Sequence, residues 1–147
     1  MVAVHEKEIT HRSATAEGKI KFSNRDSIKL IISNSNKKGD VLSIARIAGI
    51  MAVKKTAELV PLCHPIAITG ITVDLALNEQ ENHISVQCTV QCDGKTGVEM
   101  EALTGTTVTL LTVYDMCKAV DKLMEIDGCQ VVKKSGGKSG DWEISGR

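Results

Sequence analysis

Residues 71–92 alternate between apolar and polar with a period of two, interrupted once. Ile71, Val73, Leu75 and Leu77 interleave with polar or small residues, residues 78–82 turn the chain, and Ile84, Val86, Cys88, Val90 and Cys92 alternate with Ser85, Gln87, Thr89 and Gln91. Successive strand side chains point to opposite faces, so this pattern predicts an antiparallel hairpin with one buried and one polar face. Cys88 and Cys92 share the inward parity, as suits free cysteine, one of the most buried residue types.

Elsewhere the period changes. Lys19-Ile20-Lys21-Phe22 predicts a short first strand, and the polar stretch before it reads as an irregular arm. Ser23 or Asn24 offers an N-cap for a short helix carrying Ile28, Leu30, Ile31 and Ile32. After the loop Ser35-Asn36-Lys37-Lys38-Gly39-Asp40, Ile44, Ile47, Ala48, Met51 and Ala52 recur at helical spacing, predicting a helix over 41–59 capped by Asp40 and stopped by Pro61. Residues 98–123 read as one long helix despite several threonines, and the small residues over 102–107 would let another backbone approach. A last strand is predicted over 125–133. The order β-α-α-β-β-α-β implies an α+β, ferredoxin-like sandwich, a four-stranded and mostly antiparallel sheet with helices packed on one face. Residues 1–17 are assigned to the arm and 18–147 to a single domain. The open sheet face carries Ser, Thr and Gln instead of Lys and Glu, so another subunit is expected to cover it in part.

Composition narrows the classes. Lys plus Arg and Asp plus Glu both number 18, and aromatic residues make up 2%. Neither a cationic footprint nor stacking platforms are present, which argues against a nucleic-acid partner. Charges interrupt every apolar run and no signal-peptide core is seen, so no membrane partner and a cytoplasmic location are expected. Five cysteines without a C-x-x-C pair suit reduced thiols better than a disulfide framework or zinc.

Two glycine turns, Gly94-Lys95-Thr96 and Gly137-Lys138-Ser139, approach a phosphate-binding loop and fail. That loop needs a glycine five positions before its Gly-Lys-[Ser/Thr]; here those positions hold Thr89 and Val132. A nucleotide-hydrolysing engine is thereby disfavoured, and lysines must carry any anion binding. Asp115 and Lys118, three apart on the long helix, share a face, either as an ordinary ion pair or as an acid/base couple that apolar neighbours desolvate in part. His64, held between Pro61 and Pro65, is a packed ring, a proton shuttle or a donor to phosphate; the other histidines offer no spacing for a metal site. Glu99 and Glu101 at a helix start would repel phosphate and either compensate the helix dipole or accept N–H groups of a purine or pterin ring.

Taken together, Lys37-Lys38-Gly39-Asp40-Val41-Leu42, Pro61-Leu62-Cys63-His64-Pro65, Gly94-Lys95-Thr96-Gly97-Val98-Glu99-Met100-Glu101, Tyr114-Asp115-Met116-Cys117-Lys118-Ala119 and Lys134-Ser135-Gly136-Gly137-Lys138-Ser139-Gly140-Asp141 resemble, in order and over nearly the whole chain, the molybdenum cofactor biosynthesis protein C family of cyclic pyranopterin monophosphate synthases. The resemblance implies a ferredoxin-like subunit in a homohexamer, a trimer of dimers with active sites at the dimer interface. It also implies conversion of a cyclised dihydro-GTP nucleotide to cyclic pyranopterin monophosphate with loss of pyrophosphate, without metal or organic cofactor. Carried over by position, Asp115, Lys118 and Lys38 are catalytic, while Leu62, Cys63, His64, Glu99, Met100, Glu101 and Lys134 bind substrate. One departure is Ala3, where the family's arm usually has aspartate. The rival class is a non-catalytic sensor that binds a nucleotide on the same fold, which has no need of an acid/base couple.

Overall fold

The computed structural model describes residues 1–144; the last three residues, assigned above to the same domain, lie outside that description. In chain order the elements are β1 (Thr10–Lys21), α1 (Asp26–Ile32), α2 (Val41–Val53), α3 (Thr56–Leu59), β2 (Ile68–Asn78), β3 (His83–Gly94), α4 (Glu99–Cys117), β4 (Glu125–Ser135) and β5 (Trp142–Glu143). Every strand pairing is antiparallel, and the sheet order is β2-β3-β1-β4-β5. The first four strands in that order form the ferredoxin-like sheet, and β5 corrects the expected four strands to five. It is a two-residue addition, Trp142 and Glu143 opposite Lys134 and Lys133.

The hairpin follows its pattern. Asn82, at φ 59, turns the chain, and Val73, Ile84, Val86, Cys88, Val90 and Cys92 are buried against the helices. Burial pushes the Cys88 thiol to about 12, and all five cysteines are free.

The first strand is much longer than predicted, and it runs through residues 10–17 that the sequence assigned to the arm. Its inward positions Ala14, Ala16 and Gly18 carry little hydrophobic signal because α4 lies directly on them. A Cβ at Gly18 would come within 2.9 Å of the Leu110 Cδ1 and 2.8 Å of the Cys129 Sγ, and Thr106 Oγ1 donates to the Ala16 carbonyl at 3.3 Å. Close approach selects small side chains, and small side chains hide the strand.

The helix predicted over 41–59 is two. Asp40 caps α2 as expected, accepting from the Ser43 N–H at 3.0 Å. The chain then breaks at Lys54-Lys55, where buried Thr56 gives its hydroxyl to the Val53 carbonyl at 3.0 Å and begins the single turn of α3.

The long helix is shorter than predicted. It ends at Cys117, and its threonines are accommodated by hydrogen bonds to the preceding turn, among them Thr107 to Leu103 at 2.7 Å and Thr109 to Gly105 at 2.6 Å. The small-residue stretch does admit another backbone. Gly49 of α2 sits over Gly105, where an added Cβ would stand 3.0 Å from the Gly105 carbonyl and collide with Thr109. After α4, buried Asp121 ties the turn to the end of β1, accepting from the Ser23 N–H at 2.7 Å, the Ser23 hydroxyl at 2.5 Å and the Leu123 N–H at 3.0 Å. Burial works against its charge, but these donors hold its carboxyl below the usual range.

Candidate active site

The residues singled out by sequence gather at the two ends of α4. At the C-terminal end, Asp115 is clasped by two ammonium groups. Lys118 Nζ lies 2.9 Å from Oδ1, one helical turn away, and Lys38 Nζ lies 2.9 Å from Oδ2 and donates also to the Asp115 carbonyl at 3.2 Å. Lys38 reaches α4 because its loop is pinned there. Asn36 donates to the Met116 carbonyl at 2.7 Å and accepts from the Lys38 N–H at 2.9 Å, while Gly39, at φ 114, takes a backbone shape that only glycine adopts easily. Hydrogen bonds from Lys118, then from Lys38, hold the Asp115 carboxyl below its usual range. In a single chain the expected partial desolvation is slight: burial acts on Asp115 less than the two lysine hydrogen bonds do, and the Asp115 and Lys118 side chains are 52% and 56% exposed because the apolar neighbours Val113, Met116 and Cys117 point to the opposite, core-facing side of the helix. The couple is therefore a solvated ionic triad, two ammonium groups about one carboxylate.

At the N-terminal end stand Glu99, Met100 and Glu101, with Lys134 arriving from β4. Lys134 Nζ is 3.3 Å from the Glu99 Oε1 and donates to the Ser139 hydroxyl at 2.7 Å. The Glu99 pair is close enough for charge attraction but not aligned for a hydrogen bond, and Oε1 is a buried oxygen with no hydrogen-bond partner among the described residues. Glu101 is buried with no cation beside it among the described residues, and burial pushes its pKa up. Leu62, Cys63 and His64 lie between α3 and β2 near the same end. Burial first, and then the charge of Glu101, raises the Cys63 thiol, while Leu62 is exposed and His64 half-buried.

A cavity of about 460 Å³ opens beside Glu99, with Lys7, Arg12, Lys134 and Lys138 set against Glu8 and Glu99. Sequence reasoning gave no site role to Arg12 and Thr10, which also line this cavity, because both fell in the supposed arm. Arg12 is buried, donates to the Gly94 and Lys95 carbonyls at 3.0 and 3.3 Å, and makes no ion pair among the described residues. Its signal was a cation at the inward parity of Ala14 and Ala16. The tail after Lys134 is no phosphate-binding loop. Gly136 donates to Asp141 at 2.8 Å, and the chain continues into β5 instead of a helix.

The two ends are far apart. Glu101 and Asp115 stand fourteen residues apart on α4, about 21 Å of helix. One chain thus carries two separate clusters: a lysine-clasped carboxylate, suited to moving protons, and a mixed-charge pocket, suited to holding a ring and phosphates.

An antiparallel ferredoxin-like sheet with lysines and carboxylates collected at both ends of one helix defines an α+β small-molecule enzyme domain. The MoaC family model matches residues 1–137, and the chain belongs to the MoaC family. Among its relatives is a protein named cyclic pyranopterin monophosphate synthase from Clostridium botulinum (strain Alaska E43 / Type E3), 55% identical over 97% of this chain and 89% of the relative. Proteins of the same name from Chloroflexus aggregans, 49% identical over 97% of this chain and 86% of their own, and from Parvibaculum lavamentivorans, 51% identical over 97% and 89%, are similarly close. No helix of the described residues is long and apolar enough to cross a membrane.

Proposed function

We propose that this chain is a cyclic pyranopterin monophosphate synthase of molybdenum cofactor biosynthesis, a lyase that converts a cyclised dihydro-GTP nucleotide to cyclic pyranopterin monophosphate and pyrophosphate. The observation that carries the reading is Asp115 held at 2.9 Å by both Lys38 and Lys118, in a chain whose relatives of about half-identical sequence bear that name. An ionised carboxylate between two ammonium groups is a reservoir of transferable protons. When an amine gives up its proton, the carboxylate loses one of its two counter-charges and keeps the other, so the triad survives the transfer.

Rebuilding a pterin requires protons to move at carbon and nitrogen, and closing the cyclic phosphate requires a substrate hydroxyl to attack the α-phosphorus. That attack forms one P–O bond, breaks the P–O bond to the β-phosphate and expels pyrophosphate; the hydroxyl proton passes to a basic side chain. Lysine ammonium groups stabilise the charge on the departing pyrophosphate. Asp115, Lys118 and Lys38 are assigned the catalytic roles, and Leu62, Cys63, His64, Glu99, Met100, Glu101 and Lys134 the binding roles.

Reacting groups must meet within about 3–3.5 Å, which the two ends of one α4 cannot do. We therefore take the working unit to be two copies with their α4 helices antiparallel, so that the Asp115 end of one meets the Glu101 end of the other. A two-fold pair of this kind makes two equivalent sites. Between the ends, Ile44, Ile47, Met51 and Leu111 are exposed on α2 and α4, an apolar stripe suited to cover by a second chain. Three such pairs would give the hexamer, and the reaction is assigned to the cytoplasm. The test is pyrophosphate release from the cyclised nucleotide. Wild type should turn over, and Lys118→Ala should bind the nucleotide but lose at least about a hundredfold in kcat. A wild-type protein that binds without turnover would make it a sensor.

A further inference from the structure

We infer that Gly97 is a positioning residue for Glu99: the space left by its missing side chain is where the Glu99 carboxylate lies, and this fixes an acceptor for ring N–H groups in the pocket at the start of α4. The inference rests on the synthase reading for its ligand and on geometry alone for its mechanism.

Glycine at 97 is not demanded by the backbone. Its φ lies outside the left-handed region, unlike Gly39, Gly136, Gly137 and Gly140. What demands it is a neighbour. A Cβ built there would stand 2.6 Å from the Glu99 Oε2 and 2.8 Å from its Cδ, with Oε1 nearer still, so the three closest atoms all belong to one carboxylate. Gly94, in the same turn, is different: its nearest neighbour would be the Cys92 Sγ at 3.6 Å, an ordinary contact.

The folded-back pose has a chemical consequence. It buries Oε1 with no hydrogen-bond partner among the described residues and sets it 3.3 Å from the Lys134 ammonium, beside a cavity that also holds Arg12. An ionised carboxylate can only accept. A ligand that donates N–H groups from a ring and carries phosphate at its other end matches this arrangement, with Glu99 taking the ring and the cations taking the phosphate. Any side chain at 97 would push the carboxylate off this position. Because the displaced group is the free end of a flexible chain, the fold would tolerate the change while the acceptor moved.

The test is a double-mutant cycle in Gly97→Ala and Glu99→Ala, read as KM for the cyclised nucleotide and as melting temperature. Gly97→Ala should raise KM on the order of tenfold and leave the melting temperature within about 2 °C of wild type. In the Glu99→Ala background the same substitution should change KM by less than about twofold, since its route of action is gone. Equal effects in both backgrounds, or an unchanged KM in Gly97→Ala, would overturn the inference. A crystal structure of Gly97→Ala decides the mechanism without reference to turnover: the carboxylate should leave Lys134, and finding it in place refutes the positioning role. Absence of pyrophosphate release by wild type would instead refute the synthase reading, leaving that structural outcome to judge this one.

Discussion

Two half-inactive proteins should make an active one. Lys118→Ala removes the amine proposed to be catalytic at the C-terminal end of α4, and Glu101→Ala removes a buried carboxyl that has no ion pair among the described residues at the other. Each alone should fall by about two to four orders of magnitude in kcat/KM if its residue takes part in proton transfer or in orienting the substrate. Neither should unfold the chain. Lys118 is half-exposed, and among the described residues Glu101 has no cation whose charge its loss would strand. Suppose the two variants are unfolded together in equal amounts and refolded. In a site built from the Asp115 end of one chain and the Glu101 end of another, each half is intact half of the time, so roughly a quarter of the sites are wild type in both halves. Pyrophosphate release should then recover to roughly a quarter of the wild-type rate, far above either parent. A site confined to one chain predicts the opposite, because every chain carries a defect. A mixture no more active than its parents, with mixed oligomers demonstrated by mass, would refute the composite site.

Asp121→Ala should cost about 3 kcal/mol in urea unfolding, since it deletes the acceptor of three hydrogen bonds in a buried turn; a loss below about 1 kcal/mol would show the turn to be held by other means. Its folded carboxyl titrates below the unfolded value of about 3.9, so its contribution is complete above that pH and drains away on acidification through the folded value. Asp121→Asn should flatten that acid limb, and an unaltered pH profile of the melting temperature would contradict it. Gly49→Ala should force α2 off α4 and cost several kcal/mol, on the order of an overpacked core; a variant as stable as wild type would show that the two helices have slack.

How much could be read before the structure depended on the size of the side chains. The hairpin was plain because valine, isoleucine and cysteine alternate against glutamine and threonine, and Asp40 announced α2 because a capping side chain has a fixed place. The first strand was obscured by Ala14, Ala16 and Gly18, whose smallness is the record of α4 lying on them. The break at Lys54-Lys55 left no trace, since lysine is at home in a helix and only Thr56 bonding back to Val53 ends the ladder. In the site, the Asp115 and Lys118 pair followed from helical spacing alone. That Lys38 joins them did not, because 77 residues intervene and the contact depends on how Asn36 pins a loop. The exposure of the triad was misjudged because helical spacing, read without its facing, put core neighbours beside groups that point outward. Nor did the long helix announce that its two ends carry separate clusters of charged side chains, although its length alone separates them.

A crystal structure of Lys118→Ala with the cyclised nucleotide bound puts the two-chain site to its strictest test. The ligand should lie between two chains, touching Asp115 and Lys38 of one and Glu101, His64 and Lys134 of the other. A nucleotide seated wholly within one chain, out of reach of any second copy, would contradict that arrangement.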